Sequence, residues 1–253
     1  MEVQLLGSAV VVHGKMRRPI ASKRVRTVLA LLSLPPCTPM TAEQLMEELW
    51  GGEELENMRN ALQANVLRLR KILGALTGRR GDEILRTVNG GYMVDLPRQS
   101  VDAQHFLDLT VRGSALVHSD PAEAVRLLEE ALRLWRGPAL LDMYEGPRLQ
   151  LEATHLEEQR LCAREDLIAA KLGIGEERGV IFELRRLASQ HPGRERFSEQ
   201  LMLALYRDGR QTEALDVFHR TRRWLVEELG LEPGRNLSRI YQSILTQDAL
   251  LLN

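Results

Sequence analysis

In the stretch Glu56–Gly74, ENMRNALQANVLRLRKILG, apolar residues recur at helical spacing. At about 100° per residue, Met58, Leu62, Val66, Leu69 and Leu73 fall within roughly 80° of arc, a stripe that packs on a core. The opposite side carries Asn57, Asn60, Ala64, Leu67, Arg68 and Lys71, flanked by Ala61 and Gln63, with no acid after Glu56. Amides, small side chains and cations on one face suit the edges of base pairs, because amides pair with adenine and guanidinium groups with guanine in the major groove. Arg68 is therefore a candidate base contact, and Asn60 and Gln63 are candidates for adenine, Asn60 having the alternative of capping the first turn. Lys71 and Arg59 are candidates for phosphate, where they supply affinity rather than sequence choice. Arg70 projects nearer the core edge and serves either a phosphate or a salt bridge to the preceding helix. Lys23, Arg24 and Arg26, earlier in the chain, either approach backbone phosphates or provide solubility.

Other chemistry finds little material. The six histidines, at 13, 105, 118, 155, 191 and 219, show no H-x-x-x-H and no His-Cys pairing at ligand spacing, so no metal is expected. GIGEERG, Gly173–Gly179, has the glycines of a phosphate loop, but it follows a helical pattern rather than a strand and lacks the Lys-Ser/Thr that would complete one, so it reads as a helix-helix turn. No nucleotide or other cofactor is expected, and no catalytic residue. The two cysteines, Cys37 and Cys162, suggest neither a disulfide nor a thiolate site and fit a reducing compartment. Trp50, Trp135 and Trp224 lie on apolar stripes, where packing is the expectation. The most apolar segment, VLALLSL, is too short to span a bilayer, so no membrane partner and a cytoplasmic, nucleoid-associated location are expected.

The elements that must position the first helix face can be read in order. EVQLLGSAVVVHG has Val and Leu runs broken by Gly7 and Gly14, the pattern of short antiparallel strands. Ser22–Leu34 switches to helical period, with Ser22 placed to cap and Pro35-Pro36 to stop. Thr41 opens TAEQLMEELW, where Glu43 or Gln44 can reach back as a capping box, Leu45, Met46, Leu49 and Trp50 form the buried side, and Gly51-Gly52 ends the helix. The Glu56–Gly74 stretch is the third helix. EILRTVNGGYMVDL then gives two β runs around Asn89-Gly90-Gly91, residues that tolerate positive φ. Sheet, three helices and hairpin make a winged helix-turn-helix of α+β type, in which the third helix enters the major groove and the hairpin lies along the neighbouring backbone or minor groove.

From Asp102 onward the period is helical, punctuated by Gly and Pro into about seven helices. PAEAVRLLEEALRLWRG and GRQTEALDVFHRTRRWL form a weak internal repeat, and LMLALYRDGRQTEAL has the packing grammar of tetratricopeptide repeats, with Ala204 and Ala214 letting helices approach. The chain is thus mostly α, with a winged helix over 1–97 followed by an all-α, tetratricopeptide-like domain over 98–253. Residues 1–98 carry about four surplus positive charges and the rest about five surplus negative ones, so the halves are expected to meet different partners.

Taken together, KRVRTVLALLSL, TAEQLMEELWG, ALQANVLRLRKILG, NGGYMVDL, EALRLWRGPALLD, LEEQRL, LMLALYRDGRQTEAL and VEELGLEPG resemble the Streptomyces antibiotic regulatory protein family, over nearly the whole chain. Its members join an OmpR-type winged helix to a bacterial transcriptional activation domain of tetratricopeptide type. The resemblance implies a transcriptional activator of an antibiotic biosynthetic gene cluster. Such an activator binds direct repeats in double-stranded promoter DNA, side by side as a pair, and contacts RNA polymerase holoenzyme through the sigma factor and other subunits. By position, the family's basic run falls on Arg68, Leu69, Arg70 and Lys71, and its wing Gly-Tyr on Gly91 and Tyr92. Two departures matter. Leu67 replaces a small polar residue and either touches a thymine methyl or tightens the core. The wing lacks an Arg at its tip, where Val88, Asn89 and Met93 stand, leaving Arg86 as the nearest cation. Two other readings fit the same elements: a regulator, or repressor, whose helical domain senses an effector or partner, and a helical scaffold that does not bind DNA.

Overall fold

The computed structural model describes residues 1–51, 57–143 and 146–248. Gly52 and Glu56 of the sequence analysis lie outside them. By Cα proximity the chain forms two compact units, Met1–Val111 with Glu129–Cys162, and Arg112–Leu128 with Ala163–Asn253.

The first unit opens with a three-stranded antiparallel meander, β1 (Glu2–Gln4), β2 (Val10–His13) and β3 (Met16–Pro19), in the register Val3 opposite Val11 and Val12 opposite Arg17. Three helices follow: α1 (Lys23–Ser33), α2 (Ala42–Trp50) after the two-residue strand β4 (Met40–Thr41), and α3 (Met58–Thr77). α1 is buried from Thr27 to Ser33 without a break, as a helix wrapped on all sides must be. Ser22 stands at its N-cap, but the hydroxyl makes no capping bond; the backbone alone closes the turn, through Arg26 N–H to the Ser22 carbonyl at 3.0 Å. α2 has the full capping box, and Gln44 rather than Glu43 completes it. Gln44 N–H donates to Thr41 Oγ1 at 3.2 Å, and Thr41 N–H donates to Gln44 Oε1 at 2.9 Å.

α3 buries Leu62, Val66, Leu69, Leu73 and Leu76 against α1, α2 and β2, and runs past Gly74 to Thr77, where Gly78 at φ 70° takes the left-handed cap. A short turn, α4 (Gly81–Ile84), then leads into the hairpin β5 (Leu85–Val88) and β6 (Gly91–Val94). The hairpin turn is Asn89 at φ 47° and Gly90 at φ 78°, the mirror-image geometry that matches strand twist. Gly91 is not part of that turn. It pairs with Thr41 of β4, and a Cβ there would stand 2.0 Å from the Met40 carbonyl oxygen. Close approach of β4, not turn strain, is why this position is glycine.

The remaining helices are α5 (Asp102–Leu116), α6 (Pro121–Arg133), α7 (Pro147–Gly173), α8 (Glu177–Gln190), α9 (Glu195–Arg207), α10 (Gln211–Trp224) and α11 (Arg235–Leu245), and a π-helical turn, Leu225–Leu229, continues α10. Within the first unit, Asp102 at the head of α5 reaches the chain's first loop: its carboxylate accepts from Leu5 N–H at 2.6 Å, Leu6 N–H at 3.2 Å and the Arg136 guanidinium at 2.8 Å. Burial pushes this carboxyl up, against the pull of those three donors. Arg136 N–H and Leu140 N–H return hydrogen bonds to the Leu6 and Leu5 carbonyls. In the second unit α9 packs against α8, α10 and α11, with Ala204 and Ala214 fully buried where the helices approach.

Candidate nucleic-acid interface

The buried stripe of α3 fixes what its other side presents. Arg59, Asn60, Gln63, Ala64, Leu67, Arg68 and Lys71 are all exposed, Leu67 to 54 %, so Leu67 does not tighten the core. From Asn60 to Lys71 this face runs about 17 Å at 1.5 Å per residue, room enough to cover several base pairs in a groove that admits a helix. Arg68 and Lys71, one turn apart, make no hydrogen bond or ion pair with any described residue. Arg59 donates to Glu43 of α2 at 2.7 Å, with both side chains about two-thirds exposed, an ion pair of small net value that water screens.

Arg70 turns toward the hairpin rather than to the preceding helix. Its Nε donates to the Leu85 carbonyl at 2.9 Å, an Nη donates to Thr87 Oγ1 at 2.8 Å, and its guanidinium lies 6.0 Å from the centre of the Tyr92 ring. The side chain therefore bridges α3 to the hairpin through Nε and one Nη, and among the described residues it makes no salt bridge to α2. At the other end of the same contact, α4 begins where the Cβ that Gly81 lacks would stand 2.2 Å from the Arg70 carbonyl oxygen. Helix and wing are thus braced through both the backbone and the side chain of Arg70. Tyr92 is half-buried as part of this brace, whereas Asn89 and Gly90 are exposed at the tip. Arg86 faces Asp95 across the hairpin at 3.4 Å, half-exposed.

The cations of α1 divide likewise. Arg26, its side chain 15 % exposed, donates to the Ile20 carbonyl at 2.6 Å and the Asp142 carbonyl at 3.1 Å, so it is an internal tie rather than a phosphate ligand. Arg24 lies 5.5 Å from the Trp50 ring. Arg80 is bound to Asp82 at 2.7 Å and holds that carboxyl below the usual range. β3, an edge strand exposed along its length whose Arg17 and Arg18 add further cations to the unit, has no clear alternation in its sequence to announce it.

Among the described residues no group of three or more His, Cys, Asp or Glu side chains is arranged to hold a metal ion, and no described helix is long and apolar enough to cross a membrane. The glycine-rich segment at 173–179 is the α7–α8 turn, closed by Glu176 N–H to the Lys171 carbonyl at 3.0 Å with Gly175 at φ 80°.

Residues 101–245 match the family model of the bacterial transcriptional activator domain, and residues 18–94 match that of the transcriptional regulatory protein C terminal. The transcriptional regulator RedD of Streptomyces coelicolor is 43% identical over 252 residues, covering 99% of this chain and 72% of RedD. The regulatory protein DnrI of Streptomyces peucetius is 35% identical over 254 residues, covering 98% of this chain and 93% of DnrI. Among solved structures, Mycobacterium tuberculosis EmbR in complex with a low affinity phosphopeptide matches at a TM-score of 0.92 and 30% identity, over 97% of this chain and 65% of that one.

Proposed function

The chain belongs to the Streptomyces antibiotic regulatory protein family of transcription regulators, an OmpR-type winged helix with a bacterial transcriptional activator domain rather than an enzyme, and on that premise we propose that it activates a secondary-metabolite gene cluster by binding direct repeats in promoter DNA and recruiting RNA polymerase. One observation carries the DNA-binding part. The outer face of α3 presents Asn60, Gln63, Ala64, Leu67, Arg68 and Lys71 to solvent, with both cations unpaired among the described residues. An exposed leucine beside those cations gains nothing for a monomer in water, but it fits a groove that offers thymine methyl groups between phosphate walls.

In this reading Arg68 takes a base edge, and Asn60 and Gln63 take adenines. Lys71 takes a phosphate, and so does Arg59 once it is released from Glu43. The hairpin, held at a fixed angle by Arg70 and Tyr92, lies over the neighbouring backbone with Asn89 at its tip and Arg86 behind it. With no cation at that tip, the wing supplies little of the electrostatic term, and affinity falls mainly to α3. Two chains bind adjacent repeats head to tail. Residues 1–97 select the site, and the acidic remainder, 98–253, meets the polymerase holoenzyme through its sigma factor and other subunits.

Footprinting the full chain on the promoters beside its own gene, with and without RNA polymerase and with transcripts counted, tests this. The expected result is protection of two direct repeats at one helical spacing, joined by polymerase protection and more transcript when both are present. Binding that is absent, or indifferent to salt, would reject it.

A further inference from the structure

In the second unit, α8, α9 and α10 surround a half-open cavity of about 380 Å³, within the range of roughly 300–1,000 Å³ usual for small-ligand sites. Its interior is apolar: Leu201, Val217, Pro192 and the Trp224 ring line it, with the ring close to Gly193. Two hydroxyls also line it. Ser198 Oγ and Thr221 Oγ1 are hydrogen-bonded to each other at 2.9 Å, at 2 % and 8 % exposure, and neither has another side-chain partner among the described residues. A pair of hydroxyls bonded to each other uses only one of its two protons. The second proton remains to be donated, at a depth where leaving it unmet is costly.

The rim is cationic. Arg185 is held at the mouth by Glu213 at 2.5 Å, and Arg210 binds the same carboxylate at 2.7 Å, so that acid is already neutralised. Arg220 lines the mouth as well, exposed, and makes only a 3.3 Å bond to the Asp216 carbonyl one turn back; no carboxylate lies within ion-pair distance of it among the described residues. An apolar chamber with one spare hydroxyl donor inside and one unpaired guanidinium at its mouth has a definite complement. We infer that this cavity binds a small organic acid, with its carboxylate on Arg220, its apolar body between Leu201, Val217 and Trp224, and a carbonyl or other acceptor oxygen on the Ser198–Thr221 pair. The site makes the helical unit a receptor for a metabolite, a property separate from site selection by α3.

The probe is 4-oxo-4-phenylbutanoate, an aromatic keto acid, against its primary amide, which keeps the shape and loses the charge. The full chain carries 5-fluorotryptophan, so Trp50, Trp135 and Trp224 each report, and Trp224→Phe identifies the third signal. The expected result is a saturable shift of the Trp224 resonance alone with the acid, weakened about tenfold or more for the amide and for Arg220→Ala, as loss of a charge-assisted hydrogen bond requires. Arg223→Ala, on the same helix but outside this cavity, should bind the acid like the parent, and unchanged Trp50 and Trp135 signals certify the fold of each variant. A Trp224 signal that stays put through millimolar acid, or equal affinities for acid and amide, would overturn the inference.

Discussion

Arg68 and Lys71 stand one turn apart on the same exposed face, yet they should fail differently when removed. If Arg68 reads a base, Arg68→Ala weakens binding to the specific duplex by about 1–3 kcal/mol and relaxes preference at one position of each repeat. Lys71→Ala weakens specific and random duplexes alike and lowers the slope of log affinity against log salt by about one. Titrating both variants on both duplexes at several salt concentrations separates the roles; parallel losses on every sequence would take base reading away from Arg68. Asp102 belongs to the same scale for a different reason. Its carboxylate, 8 % exposed, is the acceptor for two backbone N–H groups and for Arg136. Asp102→Ala should cost about 3 kcal/mol in urea unfolding, the cost of leaving buried donors and a partly buried cation without their partner.

At the scale of elements, the wing is rigid because three contacts agree. β4 pairs with β6 at Gly91, Arg70 bonds to β5, and α4 packs its first residue on the Arg70 carbonyl. Gly91→Val cannot keep β4 in place, and it should damage folding and DNA binding far more than Asn89→Ala, which removes only an exposed tip side chain; thermal melting and duplex titration of the two variants check this. Local signals foretold the helices, the capping box at Thr41 and the hairpin turn, because each is written within a few residues. The fate of Arg70 was not legible. Its partners Leu85 and Thr87 lie 15 and 17 residues away, and only the fold decides that a cation at the core edge turns toward the wing. Arg26 also turns inward, to Ile20 close by and to Asp142, 116 residues distant, and the latter partner no local pattern announces. In the second unit, Arg210 and Arg185 together draw the Glu213 carboxyl from its ordinary 4.5 down to about 2. With the folded value depressed, that tie between α8 and α10 is fully present above about pH 4.5 and is lost as pH falls toward 2. Glu213→Gln should therefore flatten the acid limb of the stability curve within that window, and leave a smaller difference of slope elsewhere.

For the molecule as a whole, the mostly helical character and the order of elements were plain in the sequence, because periodicity and composition are summed over many residues. The embedding of the loop after β1 was not. Leu5 and Leu6 are satisfied by Asp102, Arg136 and Leu140, contacts that no local pattern announces. A cut at 97/98 consequently removes the acceptor that this loop uses, so tests of site selection belong on the full chain. The most direct one places a chemical source on the outer face of α3. In a chain with Cys37→Ser and Cys162→Ser, Ala64→Cys carries a tethered iron chelate, and hydroxyl-radical cleavage of the bound promoter is mapped on both strands. The account predicts cleavage inside each protected repeat, with the strand offset of a source in the major groove. Full occupancy with no cleavage inside the repeats, or with the offset of a minor-groove source, would contradict it.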